Sequence, residues 1–578
     1  MFWCGVPGGA WETYSDPVDV VAAFAVAEVL PALQEVERRV RGGLHAAGFI
    51  AYEAAPGFDP ALRTHARGTL PLLWFGLFGP PGVAGPADPG GAGEVRIGPA
   101  SFSLDRAGYE LRIAQIKRLL AAGETYQVNF TMRLAAPFSG EPLALFLRLH
   151  AAQQSEHSAF IETPDFAVCS ASPELFFLLD GDHLSSKPMK GTARRGATPE
   201  QDAGLAAGLR RCGKNRAENL MIVDMVRNDM GRIARPGSVR VPALFDVERY
   251  PTLLQMTSTV SCATSAPVAG IVRALFPCAS VTGAPKVRTM QLIRGLEDGC
   301  RGVYTGCVGR ISPGRRARFN VAIRTAVVDK AAATVEYGVG GGIVADSDAA
   351  AEFRECLLKA EVFRAAAAEF SLLETMLWEP HTGLFLLDAH LARLAASAAH
   401  FGFPFDEAAV RRELDAGRPA AAARQPCRAR LLLDRRGRAA VEWRPVDGGA
   451  GGRPWRVRLA DEPVDRGDVF LAHKTTQRSV YERARAAAPG CDDVILWNEA
   501  GELTEGTLAN LVIRAGGRLW TPPLASGLLP GVFRGWLLAH GRIGERVLTK
   551  ADLGTAQAVF LINSVRRWIP ATLRYPLR

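Results

Sequence analysis

The chain has 578 residues, 48% hydrophobic and 22% charged, which is the balance of ordinary globular protein with apolar material for more than one core; length alone suggests roughly four domain-sized units. Its 68 basic and 59 acidic residues leave a net charge of +9, but the arginines are scattered and no basic run of five or six occurs, so the excess suits small anionic substrates rather than nucleic acid. The ten cysteines form no C-x-x-C pair, which argues against a disulfide framework or a cysteine zinc site and fits a reduced compartment.

The first residues lack the basic-then-apolar layout of a signal peptide. The most apolar early stretch, residues 20–33, carries Glu28 and Pro31, so no membrane span is expected and a cytoplasmic location is. Residues 1–78 mix a helical pattern with apolar runs such as 72–75. Residues 79–93 are rich in Gly, Pro and Ala and read as a surface loop closing an N-terminal region, 1–94. Strands and helices then alternate over 95–369. After an Ala-rich helix at 349–368 a strand-like segment opens the last region, 370–578.

Within the middle region, Lys190 stands between Met189 and Gly191 at a strand end or turn. A lysine there is usually solvated; one held in a dry pocket has a depressed pKa and becomes a nucleophile, and the sequence leaves both open. Residues 214–224 are apolar nearly all round and read as a buried helix carrying Glu218 inward, where a carboxylate needs a partner such as a hard cation. Gly340, Gly341 and Gly342 are consecutive. Bare backbone admits an anion, or lets two strands cross closely. A dinucleotide fingerprint fails, because no helix opens directly behind them. Asp346, Ser347 and Asp348 are N-cap residues for a helix on which Glu352, Glu355 and Lys359 share one face. Ordinary ion pairs explain that spacing as well as a metal site does.

Taken in order, these segments resemble the chorismate-utilising enzymes. The matching stretches are 123–129 around Gln127, 172–176, 188–192 with Lys190 and Thr192, and 216–229 ending in Arg227-Asn228-Asp229. They continue with 282–286 ending in Lys286, 301–306, 322–325 with Arg324, the triple glycine and 352–359. The resemblance implies an α+β fold, a sandwich of antiparallel sheets wrapped by helices. It implies Mg2+ held by Glu218 and Glu355, with Glu352 nearby through water, gripping one carboxylate of chorismate. Arg324 and the amides of Gly340, Gly341 and Gly342 would grip the other, with Gln127 and Thr192 as further substrate positions.

Two positions separate the branches of the family. Members that use water carry a lysine where Gln127 stands, and anthranilate synthases carry an alanine where Lys190 stands. Gln127 with Lys190 resembles aminodeoxychorismate synthase component I. There the lysine is implied to attack C2 of chorismate and expel the 4-hydroxyl before ammonia adds at C4. Lys286 would help hold the ring or the departing oxygen. Many relatives carry a histidine where Gln255 stands, so that residue's proton-shuttling role does not transfer. No G-x-C-x-G segment of a glutamine amidotransferase occurs; ammonia is expected from a separate glutaminase subunit or from solution.

In the last region Arg393, Lys474 and Glu505 read singly as a solvated helix residue, a surface lysine and a turn glutamate. Residues 528–534 open a helix with Pro530 in its first turn, an end whose free amides favour phosphate. Together they supply what an aldehyde cofactor with a phosphate and a pyridine nitrogen needs: an amine, an acid, cations and amides. In this order they resemble fold-type IV pyridoxal-phosphate enzymes, a group that includes aminotransferases and aminodeoxychorismate lyase. The resemblance implies a smaller two-lobed α+β domain, with Lys474 joined to pyridoxal 5'-phosphate and Glu505 on the pyridine nitrogen. Arg393, the Val532 and Phe533 amides and Ser564 would hold the phosphate, and Thr375 would assist proton delivery. A homodimer through this domain is expected. Fused to an aminating half, it is expected to release pyruvate and leave 4-aminobenzoate, for folate synthesis or for a specialised metabolite. The rivals are an aminotransferase in the second half, an anthranilate-type synthase in the first, and a scaffold that merely binds chorismate-like anions.

Overall fold

The strands His45–Ile50 and Leu73–Phe78 are apolar and buried almost end to end, as strands covered on both faces are. They belong to the first of two compact units, Met1–Ala367 and Ala368–Arg578. The computed structural model describes residues 2–5, 11–84, 94–194, 199–250, 253–367, 370–418, 425–446 and 453–574. Residues 85–93 of the expected loop and 368–369 at the second expected boundary lie outside these.

In the first unit, one antiparallel sheet runs Met189–Arg194, Leu253–Ala263, His183–Lys187, Leu175–Asp180, Arg316–Val321, Cys307–Ser312, His45–Ile50, Leu73–Phe78, Asp19–Ala23. The other runs Gly283–Ala284, Gln127–Gly140, Thr334–Ile343, Thr325–Asp329, Phe166–Ser170, Ala159–Glu162, Phe2–Gly5, Trp11–Tyr14, Gly82–Ala84. Residues 2–84 thus supply outer strands to both. Phe2, Tyr14, Phe49, Phe78, Phe166 and Val308 form the core between the sheets. The helices Val29–Arg41, Gly213–Gly231 and Val268–Leu275 cover one outer face. Arg106–Ala121, Pro142–Gln153 and Ala349–Ala367 cover the other. The expected sandwich wrapped by helices is the fold observed.

One expectation needs correction. The helix Gly213–Gly231 is not buried all round: it turns Ile222, Val223, Val226 and Met230 inward and leaves Leu220 51% exposed. Only one face meets the sheet and its neighbouring helices, and an isolated leucine facing solvent costs little.

The second unit has two sheets, which make its two lobes. The smaller is antiparallel, in the order Gly383–Leu384, Leu372–Glu379, Cys427–Leu433, Ala439–Pro445. In the larger, the strands Leu503–Gly506, Asp493–Trp497, Trp455–Leu459, Arg567–Leu573, Ala558–Asn563 and Asn510–Ala515 pair in sequence. A Glu505–Asn510 pairing closes them into a ring around Val457, Ile495, Leu511, Ile513 and Leu561. Trp455–Leu459 pairs in parallel with both its neighbours, so this lobe is mixed. Among the described residues no helix is long and apolar enough to cross a membrane.

Candidate active sites

In the first unit, candidate residues come from the matching ends of the two sheets. Gln127 opens the strand that pairs over ten residues with Thr334–Ile343. Lys190 lies on Met189–Arg194, where the register slips between Met189 and Thr192. The two side chains meet at Gly342. A Cβ there would stand 2.5 Å from Gln127 Nε2 and 2.8 Å from Lys190 Nζ, closer than any real Cβ sits, so glycine is needed for the lysine to reach this spot. A Cβ at Gly341 would lie 3.3 Å from Glu352 Oε2 and 3.8 Å from Lys359 Nζ.

Burial lowers the Lys190 pKa, opposed by the charges of Glu218, Glu174 and Glu355 and helped by that of Lys359. Burial raises Glu218 against the pull of Lys190 and Lys214. Burial also raises Glu352, which accepts from Ser347 Oγ at 2.8 Å. Glu355 is instead lowered by Lys359, whose Nζ is 2.7 Å away. The same Nζ donates to the Gly340 carbonyl at 2.6 Å. Arg324 donates to the Lys359 carbonyl at 2.8 Å and holds a left-handed backbone, φ 52°, a strained state that persists only where surrounding contacts enforce it. Among the described residues no three acidic, His or Cys side chains converge closely enough to enclose a metal ion by themselves.

Glu174 was not singled out from sequence. It is 2% exposed, its Oε1 has no partner, and burial raises its pKa to about 7 against a bond from Ser280 and the Lys190 charge. Gln127 is likewise fully buried with neither amide atom partnered. Unpaired buried polar atoms are costly, and here they cluster around one amine. The only sequence signal for Glu174 was its place in the Ser172–Phe176 stretch.

Two expected residues are bonded to side chains that the sequence reading did not pair with them. Lys286 donates to Asp229 Oδ2 at 2.7 Å and to the Leu275 carbonyl at 3.1 Å. Thr192 donates to Gln255 Oε1 at 2.9 Å, and Gln255 Nε2 donates to the Gly191 carbonyl at 3.0 Å. Thr192 and Gln255 thus brace the irregular strand just beyond Lys190.

In the second unit, Lys474 pairs its backbone with the strand Leu372–Glu379, accepting from Leu373 N at 3.0 Å. Burial lowers its pKa to about 8; Arg393 and Arg478 push the same way, and Glu374 and Glu505 oppose. Glu505 is 4% exposed and burial raises it to about 7. Its Oε1 accepts from Tyr481 OH at 2.8 Å and Leu529 N at 3.1 Å, and its Oε2 from Asn510 Nδ2 at 3.0 Å. Arg393 is held by both oxygens of Glu374, at 2.8 and 2.6 Å, and donates to the Pro530 carbonyl at 3.0 Å. Glu374 also accepts from His390 Nδ1 at 2.7 Å, while His390 Nε2 is buried without a partner.

Val532 and Phe533 open the helix Val532–Ala539, capped by Gly531. Pro530 therefore lies just before the cap, not in the first turn, and its carbonyl serves Arg393. A Cβ on Gly531 would strike Asn510 Oδ1 at 1.8 Å, so the helix start is pressed against the Glu505 network. Ser564 is 7% exposed in a turn whose Val565 and Arg566 amides donate to Asn563 Oδ1. Thr375 takes the face of its strand opposite Glu374, because successive side chains alternate, and pairs across the sheet with Arg430. It is apart from the Glu374–Arg393 cluster. Sequence reading missed Glu374, His390, Tyr481, Asn510 and Arg478.

Comparison with known proteins follows the same division. Residues 87–365 match the chorismate binding enzyme family and residues 371–573 match amino-transferase class IV. An aminodeoxychorismate synthase of Streptomyces pristinaespiralis is 46% identical over 261 residues, 45% of this chain and 36% of that one. An aminodeoxychorismate synthase component 1 of Klebsiella aerogenes is 42% identical over 255 residues, 44% of this chain and 56% of that one. The chain thus spans between about a third and just over half of the length of these relatives. Anthranilate synthase component I from Streptococcus pneumoniae shares the fold of the first unit, with a TM-score of 0.53 at 22% identity over 62% of this chain and 92% of that one. The chain thus carries a segment that matches the chorismate binding enzyme family, followed by one that matches amino-transferase class IV.

Proposed function

We propose that the chain makes 4-aminobenzoate in two steps. The first unit, with its catalytic part at 95–369, would convert chorismate and ammonia to 4-amino-4-deoxychorismate and water. The second, 370–578, would split that product into 4-aminobenzoate and pyruvate. One observation carries this reading: each unit holds a half-buried lysine of lowered pKa near a buried carboxyl raised to about 7, Lys190 with Glu174 and Lys474 with Glu505. Such pairs suit covalent and proton-transfer chemistry near neutral pH.

In the first step the Lys190 amine bonds to C2 of chorismate, the ring double bonds shift, and the C4–oxygen bond breaks. Glu174, protonated near neutral pH, gives its proton to the departing hydroxyl. Ammonia then bonds to C4, the double bonds shift back, and the C2–nitrogen bond to Lys190 breaks; Glu174 recovers a proton from the added nitrogen. Gln127 offers the substrate two unmet hydrogen-bonding atoms. Arg324, Lys359 and the open edge of Gly340–Gly342 suit a carboxylate. The oxygen donors Glu218, Glu352 and Glu355 fit Mg2+ when a substrate carboxylate and water complete the shell, and the ion would supply Lewis-acid pull on that carboxylate. Ammonia would reach the site from a separate glutamine amidotransferase subunit.

The second unit fits pyridoxal 5'-phosphate, which would supply an electron sink for the bond-breaking at C4. Lys474 would hold the aldehyde, and its amine would take the C4 proton and return it to the departing enolpyruvyl group. Glu505, fixed by Tyr481, Asn510 and Leu529, would face the pyridine nitrogen. Arg393, set by Glu374, would hold the phosphate with the Val532 and Phe533 amides and Ser564. The C3–oxygen bond breaks, the enolpyruvyl group leaves as pyruvate, and the ring becomes aromatic. We place the protein in the cytoplasm, as a homodimer through the second unit.

The test is to incubate the full chain with chorismate, Mg2+, ammonium and pyridoxal phosphate and to identify products. Equal amounts of 4-aminobenzoate and pyruvate are expected, with 4-amino-4-deoxychorismate accumulating when the cofactor is withheld. The 2-isomer would instead mean an anthranilate-type first unit. The match of residues 371–573 to amino-transferases favours a second reading of that unit, and amine transfer to a 2-oxo acid would establish it.

A further inference from the structure

Arg478 lies four residues beyond Lys474, in the segment that leads into the helix Ser479–Ala486. It joins three parts of the second site. Its guanidinium stacks on the Tyr481 ring, 4.6 Å from the centroid, the ring whose hydroxyl donates to Glu505. Its Nη2 donates to the Thr507 carbonyl. That carbonyl belongs to the turn just after Glu505, and the turn is pinned by Asp493. One Asp493 oxygen accepts from Thr507 N at 2.9 Å and from Thr507 Oγ1; the other accepts from Leu508 N at 3.2 Å. Thr475 and Gln477 tighten the segment itself, with Gln477 N donating to Thr475 Oγ1 at 3.2 Å.

We propose that Arg478 is a positioning residue of this site: it ties the segment bearing Lys474 to the turn bearing Glu505, and it supplies a fixed positive charge against which Lys474 sheds its proton. The proposal rests on the reading that Lys474 holds pyridoxal phosphate. The groups around Lys474 are Arg393 and His390 on one helix, Glu374 on the adjoining strand, Glu505 on the ring of strands, and Arg478 and His473 on its own segment. His473, stacked on His400 at 4.3 Å, is held neutral by burial, as is His400. Burial likewise lowers His390. The fixed cations acting on Lys474 are therefore Arg393 and Arg478, and both lower its pKa. Arg393 is already tied to Glu374, whereas among the described residues the contacts of Arg478 are a neutral carbonyl and an aromatic face, and its charge acts on Lys474 and Glu505 without an ion pair. A guanidinium suits this dual task because its flat face stacks while its edge donates.

The test titrates the absorbance band of the cofactor-loaded full chain with pH, in the parent, Arg478→Gln and Arg478→Lys, and measures the Kd for pyridoxal phosphate alongside. Arg478→Gln is expected to raise the midpoint by about one pH unit, since a nearby cation has gone. Arg478→Lys, which keeps the charge and loses the stacking fork, is expected to keep the midpoint while binding the cofactor several-fold more weakly. An unmoved midpoint in Arg478→Gln overturns the proposal, because a purely structural role alters affinity alone. Should that variant not fold, Arg478→Lys decides: a midpoint within roughly 0.3 of the parent supports the charge role and a full unit of change contradicts it. A parent chain that takes up no pyridoxal phosphate would defeat the underlying reading instead.

Discussion

On the proposed reading the two units solve one problem, making a lysine reactive, with opposite surroundings. Lys190 is half-buried among carboxylates: Glu218, Glu174 and Glu355 all favour its charged form, and desolvation of the amine outweighs them. Lys474 is half-buried beside guanidiniums: Arg393 and Arg478 add to the desolvation of its amine, against Glu374 and Glu505. The difference teaches where each lysine's charge is meant to go. Around Lys190 the carboxylates outnumber the cations, which leaves room for positive charge brought in from outside, such as Mg2+. Around Lys474 fixed cations join burial in disfavouring the charged amine, and on the proposed reading they suit an anionic cofactor phosphate.

The sharpest way to break this comparison is to remove the second lysine. Lys474→Ala is expected to cut pyruvate release from supplied 4-amino-4-deoxychorismate by roughly a thousandfold or more while chorismate amination continues at the parent rate. Pyruvate release at parent rate, followed with a coupled dehydrogenase, would remove the role. Next in size is the buried ion pair of the first unit. Arg301 is 4% exposed, bonds Glu297 at 2.7 and 2.9 Å, and donates to the Asn129 and Val281 carbonyls. Arg301→Ala strands a buried carboxylate, so a loss of about 3–5 kcal/mol is expected. Calorimetry should report it in the transition of the first unit alone; a shift under roughly 1 kcal/mol would show that this pair matters little.

Gly342→Ala tests how closely Lys190 is fitted. Its Cβ would displace both Lys190 Nζ and Gln127 Nε2, and about a hundredfold loss of amination is expected, with the second reaction untouched. Unimpaired amination would mean that the lysine reaches the substrate from elsewhere. The smallest expected effect concerns Glu505 in cofactor-free protein. Folding raises its pKa from 4.5 to about 7, so its ionisation weakens the fold increasingly as pH rises across that window and fully above it. Below 4.5 the carboxyl is neutral in both states and the penalty is absent. Glu505→Gln should therefore match the parent at low pH and exceed it by roughly 3 kcal/mol at pH 8. Denaturant titrations at the two pH values check this, and an equal gain at both would contradict it.

The motif residues were legible in sequence because each stands in a short, dense stretch: Gln127, Lys190, Gly342 and Glu352 do converge, as do Lys474, Glu505, Arg393 and the start of the helix Val532–Ala539. What sequence could not supply was the set of partners from distant strands. Glu174 faces Lys190 only because the Leu175–Asp180 and Met189–Arg194 strands share a sheet. Ser280, more than a hundred residues on, then completes its contacts. Lys286 was expected at the substrate, and its partner Asp229, on another helix, was not legible in the sequence. The apolar segment at 214–224 suggested full burial, since composition does not reveal that one helical face has nothing to pack against. In the second unit Thr375 was chosen from its neighbourhood, yet strand alternation directs its neighbour Glu374 into the Arg393 cluster. The antiparallel sandwich followed from the family resemblance; alternating strands and helices by themselves fit a parallel sheet equally well.

The central claim is that the Lys190 nitrogen bonds to the chorismate ring before ammonia does. The direct measurement is the rate of 4-amino-4-deoxychorismate formation from chorismate, Mg2+ and saturating ammonium by Lys190→Ala, with pyruvate release from supplied intermediate recorded on the same sample. Amination reduced by roughly a thousandfold or more, beside undiminished pyruvate release, is the predicted result. Amination at the parent rate would contradict the account.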